Sequence, residues 1–389
     1  MDYSNINRQV LRAPENTIRT FNDQISHLDN LLAFNIGEPD FPTPANIKAA
    51  AIESIENDQS FYAHSRGVFE LRQAISHYLA RKYQLNYSPD DEIFVTAGAT
   101  EALYLSLTGL LNPGDQVLLV DPSYVIYQTQ IVLAGGEAIP IDVSESNFKL
   151  TPDQLEKALV DNTQVKALLL NFPTNPTGVT YTPQEIEALA AIIKAHDVYV
   201  IADEVYSEFS YESEHVSIAR FIPERTLLIN GASKSHAMTG WRSAFLAGPA
   251  PLLNAFYPLH QAVLTTVTTQ VQYASIEAYS QNSDPAILEM KQSYQERRDL
   301  LYAGMEVLGF ESARPTAAFY LFTKIPEWFP GNDVDFCLAL AHDYRVATTP
   351  GSVFGAAGKG YFRTSYVSSI DNLHLYLDRL ASFKEKYTS

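Results

Sequence analysis

Apolar and polar positions along this chain follow two rhythms, and from about residue 70 the rhythms take turns. ELRQAISHYLARKY places Leu71, Ala74, Ile75, Tyr78 and Leu79 on one stripe at helical spacing, which predicts an amphipathic helix. Short apolar runs follow, EIFVT, QVLLVD, VKALLLNF, VYVIAD and TLLIN, each of strand length. Between them lie helical stretches: residues 99–111, opening at Gly98, and IEALAAIIKAHD. Thr151-Pro152-Asp153-Gln154 and Thr182-Pro183-Gln184-Glu185 both carry a capping-box pattern with proline at the first helical position. Strand alternating with helix predicts an α/β fold built on a mostly parallel sheet with helices on both faces.

The texture changes after about residue 283. Asp284-Pro285 opens a long helix with apolar positions Ile287, Met290, Tyr294, Leu301, Met305 and Leu308, and Gly309 stops it. Short strands in AFYLF and YFRTSYV and a terminal helix follow. The pattern predicts a large domain over residues 45–283 and a smaller α+β domain made of residues 1–44 and 284–389. A length of 389 residues exceeds one usual domain and agrees with two.

Composition removes several classes of function. A formal net charge of -18 and a pI near 4.9 repel polyanions, so neither nucleic acid nor a lipid surface is an expected partner. The 46% hydrophobic and 19% charged fractions are those of an ordinary soluble protein. A single cysteine, Cys337, rules out an intrachain disulfide framework and a cysteine metal cluster, and no metal site is expected. Flanked by Phe336 and Leu338, it reads as a small buried hydrophobe. The first residues hold no continuous apolar stretch of a secretory signal, and no run is long enough to span a bilayer, so the expected location is the cytoplasm. No G-x-G-x-x-G follows a strand, which argues against a dinucleotide dehydrogenase.

Polar clusters end the strand-like runs. Asn175-Pro176-Thr177-Gly178 follows VKALLLNF, Asp203 closes VYVIAD with Tyr206 three residues on, and Ser233-Lys234 follows TLLIN with Trp241-Arg242 beyond. Ligands of open α/β sheets bind outside the carboxyl ends of the strands, so these side chains are expected in one crevice. Together they suit an anionic, aromatic, carbonyl-bearing cofactor, a description that pyridoxal 5′-phosphate meets.

Nine segments complete the pattern in order: IGEPDFPTP, YAHSRG, TAGATEAL, DPSY, NPTG, DEVY, SKSHAMTGWR, PGSVFG and YFRTSY. On these the chain resembles the class I/II aminotransferases of the pyridoxal-phosphate-dependent fold type I family over nearly its whole length. The resemblance implies a seven-stranded-type sheet and a role for each matching residue. Lys234 would hold the cofactor aldehyde as an imine and then move the substrate proton. Asp203 would keep the pyridine nitrogen protonated, and Tyr206 and Asn175 would donate to the phenolate oxygen; the Asn175 segment reads equally as a turn. Gly98, Ala99, Thr100, Ser233 and Arg242 would bind the phosphate at a helix start. Tyr124 would stack on the cofactor ring, with a core tyrosine as its plainer reading. Tyr62 would reach the phosphate of the neighbouring subunit in a homodimer. Arg363 would grip the substrate α-carboxylate, with the backbone of Gly37 on the other side.

The chain departs from the family at several positions. Gly231 stands where serine is common, Val125-Ile126 where Pro-Gly is common, Ser243-Ala244 where Ile-Gly is common, and Ala317 where glycine is common. Thr100 stands where thermophilic-type aspartate enzymes carry lysine. The expected reaction is ping-pong transfer of an amino group from an aromatic L-amino acid to 2-oxoglutarate. Alternatives are N-acetyl-LL-diaminopimelate as donor, or carbon–sulfur β-elimination on the same scaffold. Arg66, with His64 in the segment expected to reach the partner's site, reads either as a solvated loop charge or as the receiver of a distal carboxylate there.

Overall fold

Strands that read as unbroken apolar runs should be buried on both faces. In the computed structural model, which describes residues 6–15 and 17–389, they form the centre of the molecule. They are β1 (Ile93–Thr96), β2 (Gln116–Asp121), β3 (Glu137–Asp142), β4 (Val165–Asn171), β5 (Tyr199–Asp203), β6 (Thr226–Gly231) and β7 (Ala244–Ala247). Their spatial order is β1-β7-β6-β5-β4-β2-β3. Neighbours from β6 to β3 pair in parallel, and β7 runs antiparallel to both β6 and β1. The α/β expectation with a mostly parallel seven-stranded sheet is met.

Alternate residues along each strand feed opposite layers, as the period of two requires. Leu118, Leu168, Val200 and Leu228 enter one core, where Ile186, Leu189 and Ile193 of helix Pro183–Ala195 cover them. Val117, Leu169, Ile201 and Leu227 enter the other, under Leu103 and Leu107 of helix Ala99–Leu110. Both anticipated capping boxes form: Thr182 Oγ1 accepts from Glu185 N at 3.2 Å while Thr182 N donates to Glu185 Oε2 at 2.7 Å, and Thr151 with Gln154 does likewise. A third, Asn332 with Asp335, opens helix Asp333–Tyr344.

A second, antiparallel sheet has the order β10-β11-β9-β8, with β8 Ser312–Ala313, β9 Tyr320–Lys324, β10 Thr349–Pro350 and β11 Tyr361–Ser365. Leu32–Ala33 pairs in parallel with Val346–Ala347, and Phe21, Ile25 and Phe34 join Phe336, Phe362 and Phe383 in one apolar cluster. The amino-terminal segment is thereby packed with the carboxyl-terminal part. Helix Asp284–Val307 runs as predicted and Gly309 follows it at φ +75°. AFYLF pairs later than expected. Ala317 N and Ala318 N donate to Gly178 O and Phe209 O, Ala318 turns at φ 56°, and the β9 ladder starts only at Tyr320.

Cys337 is buried and accepts from Thr348 Oγ1 at 3.3 Å. Among the described residues, no group of three His, Cys, Asp or Glu side chains could hold a metal, and no helix is long and apolar enough to cross a membrane.

Candidate active site

Register brings the strand ends level: Asn171 of β4 lies beside Asp203 of β5, and Asp203 beside Ile229 of β6. A cavity of about 410 Å³ opens beyond them. Gly37, Ala99, Thr100, Tyr124, Asn175 and Asp203 line it, as do Tyr206, Ser233, Lys234, Arg242 and Arg363. Gly98 sits directly behind as the N-cap of helix Ala99–Leu110. Tyr62 does not line the cavity; it is 86% exposed.

Lys234 lies on the short helix Ala232–Ser235 after β6, and its Nζ donates to Gly37 O at 2.7 Å. Burial lowers its pKa to about 8; the Glu38 charge opposes that shift, while Arg363 and Arg242 add to it. An amine so placed gives up its proton far more readily than a surface lysine. Asp203 accepts from Tyr127 Oη at 2.7 Å and from Val205 N at 3.3 Å. Burial raises its pKa to about 6 against those two donors. Among the described residues, no cation lies within ion-pair distance of it.

Arg363, on β11, is 3% exposed. Its guanidinium donates to Asn175 Oδ1 at 2.8 Å and to Asn35 O at 2.7 Å, and lies 4.5 Å over the Tyr320 ring. Among the described residues its buried Nε has no partner and no carboxylate pairs with the guanidinium. Asn175 is held in turn by its backbone N–H to Asn171 Oδ1 at 2.9 Å, which fits the turn reading, and it lines the cavity. Tyr206 Oη shares a hydrogen bond of 2.9 Å with Tyr320 Oη. At the other end, Gly98 has φ +95°, and a Cβ there would strike the Arg242 guanidinium. Arg242 donates to Thr239 O at 3.0 Å and to Ala97 O at 3.3 Å.

Several residues escaped the sequence reading. Tyr127, Tyr320, Thr239 and Arg19 line the cavity, and Ile18, Ile36 and Ile126 supply apolar wall. Tyr127 follows Tyr124 by three residues in the same segment, a weak signal; Tyr320 comes from the second sheet and had none. Arg66 is not a solvated loop charge. It is buried, donates to Asn254 Oδ1 at 2.6 Å and Asp91 O at 3.3 Å, and lies over the rings of Phe94 and Tyr257. His64 stacks on Tyr257 and accepts from Arg66 N at 3.2 Å.

The residues present fit the expected cofactor. A buried acid with no ion-pair partner among the described residues, a lysine with a lowered pKa and a glycine-cornered helix start beside an arginine match a pyridine nitrogen, an aldehyde and a phosphate. Fold and site together define an α/β enzyme of the pyridoxal-phosphate type. Comparison with known proteins then fixes the family: residues 29–380 match the model for "Aminotransferase class I and II". The chain belongs to that family; it is a transaminase and its cofactor is pyridoxal 5′-phosphate. It is 38% identical over 366 residues to a probable N-acetyl-LL-diaminopimelate aminotransferase of Bacillus subtilis, covering 94% of this chain and 92% of that one. The aspartate aminotransferase of Thermus thermophilus, solved with maleate, superposes with a TM-score of 0.92 at 34% identity over 97% of this chain and 99% of that one. The aromatic aminotransferase of Pyrococcus horikoshii does so with 0.89 at 34% identity over 95% and 100%.

Proposed function

We propose that this transaminase moves the amino group of an aromatic L-amino acid to 2-oxoglutarate, with each strand-end residue in the role that its surroundings suit. The bound cofactor supplies the aldehyde that exchanges the amino group and the ring that draws electrons from Cα. Lys234 Nζ carries the proton away from the substrate Cα, a task suited to an amine whose pKa is lowered to about 8. Asp203 holds a proton on the ring nitrogen, and Tyr127 keeps the carboxylate aimed. Tyr206 and Asn175 donate to the phenolate oxygen. Ser233, Arg242 and the Gly98–Thr100 turn hold the phosphate, and Tyr124 packs on the ring. Arg363 takes the α-carboxylate, with Gly37 opposite. The observation that carries these assignments is a pair of buried charges in one cavity, Asp203 and Arg363, neither of which has an ion-pair partner among the described residues.

Substrate choice rests on the rest of the wall. Ile18, Ile36 and Ile126 offer apolar surface to an aromatic side chain, and Thr100 is no cation. Arg19 also lines the cavity and is our choice to receive the distal carboxylate of 2-oxoglutarate. The likeness to a probable N-acetyl-LL-diaminopimelate enzyme favours that donor as the second reading. We further propose a large domain of residues 45–283 and a small one of 1–44 with 284–389, and a homodimer in which Tyr62 reaches the neighbouring phosphate. Exposed Phe61 and Tyr62, at 81% and 86%, support the last point.

One experiment tests donor and site together. Borohydride treatment of the pyridoxal-phosphate-loaded protein should place the cofactor mass on Lys234 in peptide maps. Single half-reactions should then convert the cofactor to its amine form with phenylalanine and tyrosine. Robust conversion by N-acetyl-LL-diaminopimelate with none by phenylalanine overturns the donor; label on another lysine overturns the site.

A further inference from the structure

Helix Ala99–Leu110 carries an acidic residue, Glu101, in its first turn, directly beside the turn assigned above to the phosphate. A carboxylate at a helix start is normally favourable, because that end of the helix is positive. Here it would compete with the ligand, since a free negative charge beside the turn repels phosphate.

Glu101 is not free. Its Oε2 accepts from Ala97 N at 2.6 Å, and its Oε1 lies 3.2 Å from His260 Nδ1. His260 is fully buried, stacks on Phe94 with centroids 4.7 Å apart, and donates from Nε2 to Ser65 O at 2.9 Å. Both ring nitrogens therefore face acceptors: a carboxylate on one side and a carbonyl on the other. A neutral imidazole has one N–H, so both bonds form only when both nitrogens carry hydrogen. The Ala97 peptide is held from both sides, its N–H by Glu101 and its carbonyl by Arg242.

We propose that His260 is the counter-ion of the phosphate-binding turn. It neutralises Glu101, so that Glu101 can fix Ala97 without opposing the phosphate, and through Ser65 it ties the turn to the segment that carries Tyr62. It acts through Glu101 and touches neither cofactor nor substrate, so it is a positioning residue. The inference rests on the phosphate assignment to Gly98–Thr100 and Arg242.

Cofactor binding to the apo-protein, followed by fluorescence, tests it. His260→Gln keeps an amide of similar reach but leaves Glu101 uncompensated. It should weaken pyridoxal phosphate by roughly 10-fold or more, the scale of one like-charge interaction at short range. Pyridoxal, which lacks the phosphate, should bind the variant and the parent alike. Adding Glu101→Gln removes the charge while keeping an acceptor for Ala97 N–H, and should recover most of the loss. If His260→Gln does not fold, nitrogen-15 NMR of the unaltered protein remains decisive: the buried ring must show two protonated nitrogens. A single protonated nitrogen, unchanged phosphate-dependent affinity, or no recovery in the double variant overturns the proposal. Arg242→Ala separates the two levels. If it too leaves pyridoxal phosphate affinity unchanged, the phosphate assignment has failed; if it alone weakens binding, only the role of His260 has.

Discussion

Asp203 and Glu204 are adjacent and both buried, at 7% and 1% exposure, yet the protein treats their charges in opposite ways. Glu204 is fully answered from within: His215 Nε2 lies 2.7 Å from one oxygen, and Ser217 donates to the other at 2.8 Å. Asp203 meets a tyrosine hydroxyl and one backbone N–H, faces the cavity, and is left with its pKa raised to about 6. The arginines differ in another way: among the described residues neither meets a carboxylate, but only Arg363 lines the cavity. Arg66 is spent on Asn254, the Asp91 carbonyl and two rings, whereas Arg363 keeps a buried Nε unpaired among the described residues. Burial alone therefore does not mark a functional charge. Burial at a cavity wall with the counter-charge withheld does, because such a group costs stability unless a ligand completes it.

The sharpest way to break that comparison is to neutralise each acid. Asp203→Asn should lower kcat by roughly 100-fold or more, the scale of one lost preorganised charge, while pyridoxal phosphate still binds. Glu204→Ala should instead unfold the protein more easily, at about 1–3 kcal/mol for each buried donor left unpaired. The apo-protein adds a pH signature. Asp203 takes up its proton near pH 6 when folded and near 3.8 as an ordinary carboxyl, so between those values the folded state binds more protons. Stability from this group is accordingly lost as pH rises through the window, by about 3 kcal/mol in all. Urea melts of apo-protein should show Asp203→Asn gaining on the parent from pH 4 to pH 7, and added cofactor should narrow the gap. A gap that stays flat with pH would mean that Asp203 is as well compensated as Glu204.

Much of this contrast was legible before the fold was known, but only half of each pair. The strand ends, the capping boxes and the turn at Gly98 are local patterns, and ligands of α/β sheets gather at strand ends, so Asp203, Lys234 and Asn175 could be placed together. Two strands of the sheet stayed hidden for physical reasons. β3 contains Pro140, which argues against a strand and is tolerated because β3 is an edge. β7 has four residues and lies inside a motif that chemistry already claimed. Arg66 could not be judged, because its partner Asn254 is 188 residues away. Tyr320 and His260 likewise acquire their parts only through tertiary contacts.

The two arginines offer the next test. Arg363→Lys keeps the charge but loses the planar fork, and should weaken every amino acid and oxo acid by roughly 10- to 100-fold, since each brings an α-carboxylate. Arg66→Ala should lower stability by about 1–3 kcal/mol through the unpaired groups it leaves. It should leave the ratio of glutamate to phenylalanine turnover unchanged. A selective loss of glutamate and 2-oxoglutarate in Arg66→Ala would return that residue to the substrate and erase its contrast with Arg363.

The smallest effect concerns how the site's frame absorbed its departures from the family. Gly231 stands where serine is common and Ala244 where glycine is common, and the two are register partners across β6 and β7. A Cβ on Gly231 would lie 2.7 Å from Ala244 Cβ and 3.0 Å from Ala244 Cα, closer than side chains pack. Its φ of -178° is ordinary extended backbone, so the obstacle is the facing methyl and not conformation. The space for one small group lies on one strand instead of the other, and the proposed phosphate seat has no hydroxyl at position 231. Gly231→Ser alone should cost about 1–3 kcal/mol of overpacking. In the Ala244→Gly background it should cost less, with a coupling of roughly 0.5–3 kcal/mol in a double-mutant cycle of urea melts. Strict additivity would mean that the strands part to admit the serine, and that the exchange at these two positions is coincidence.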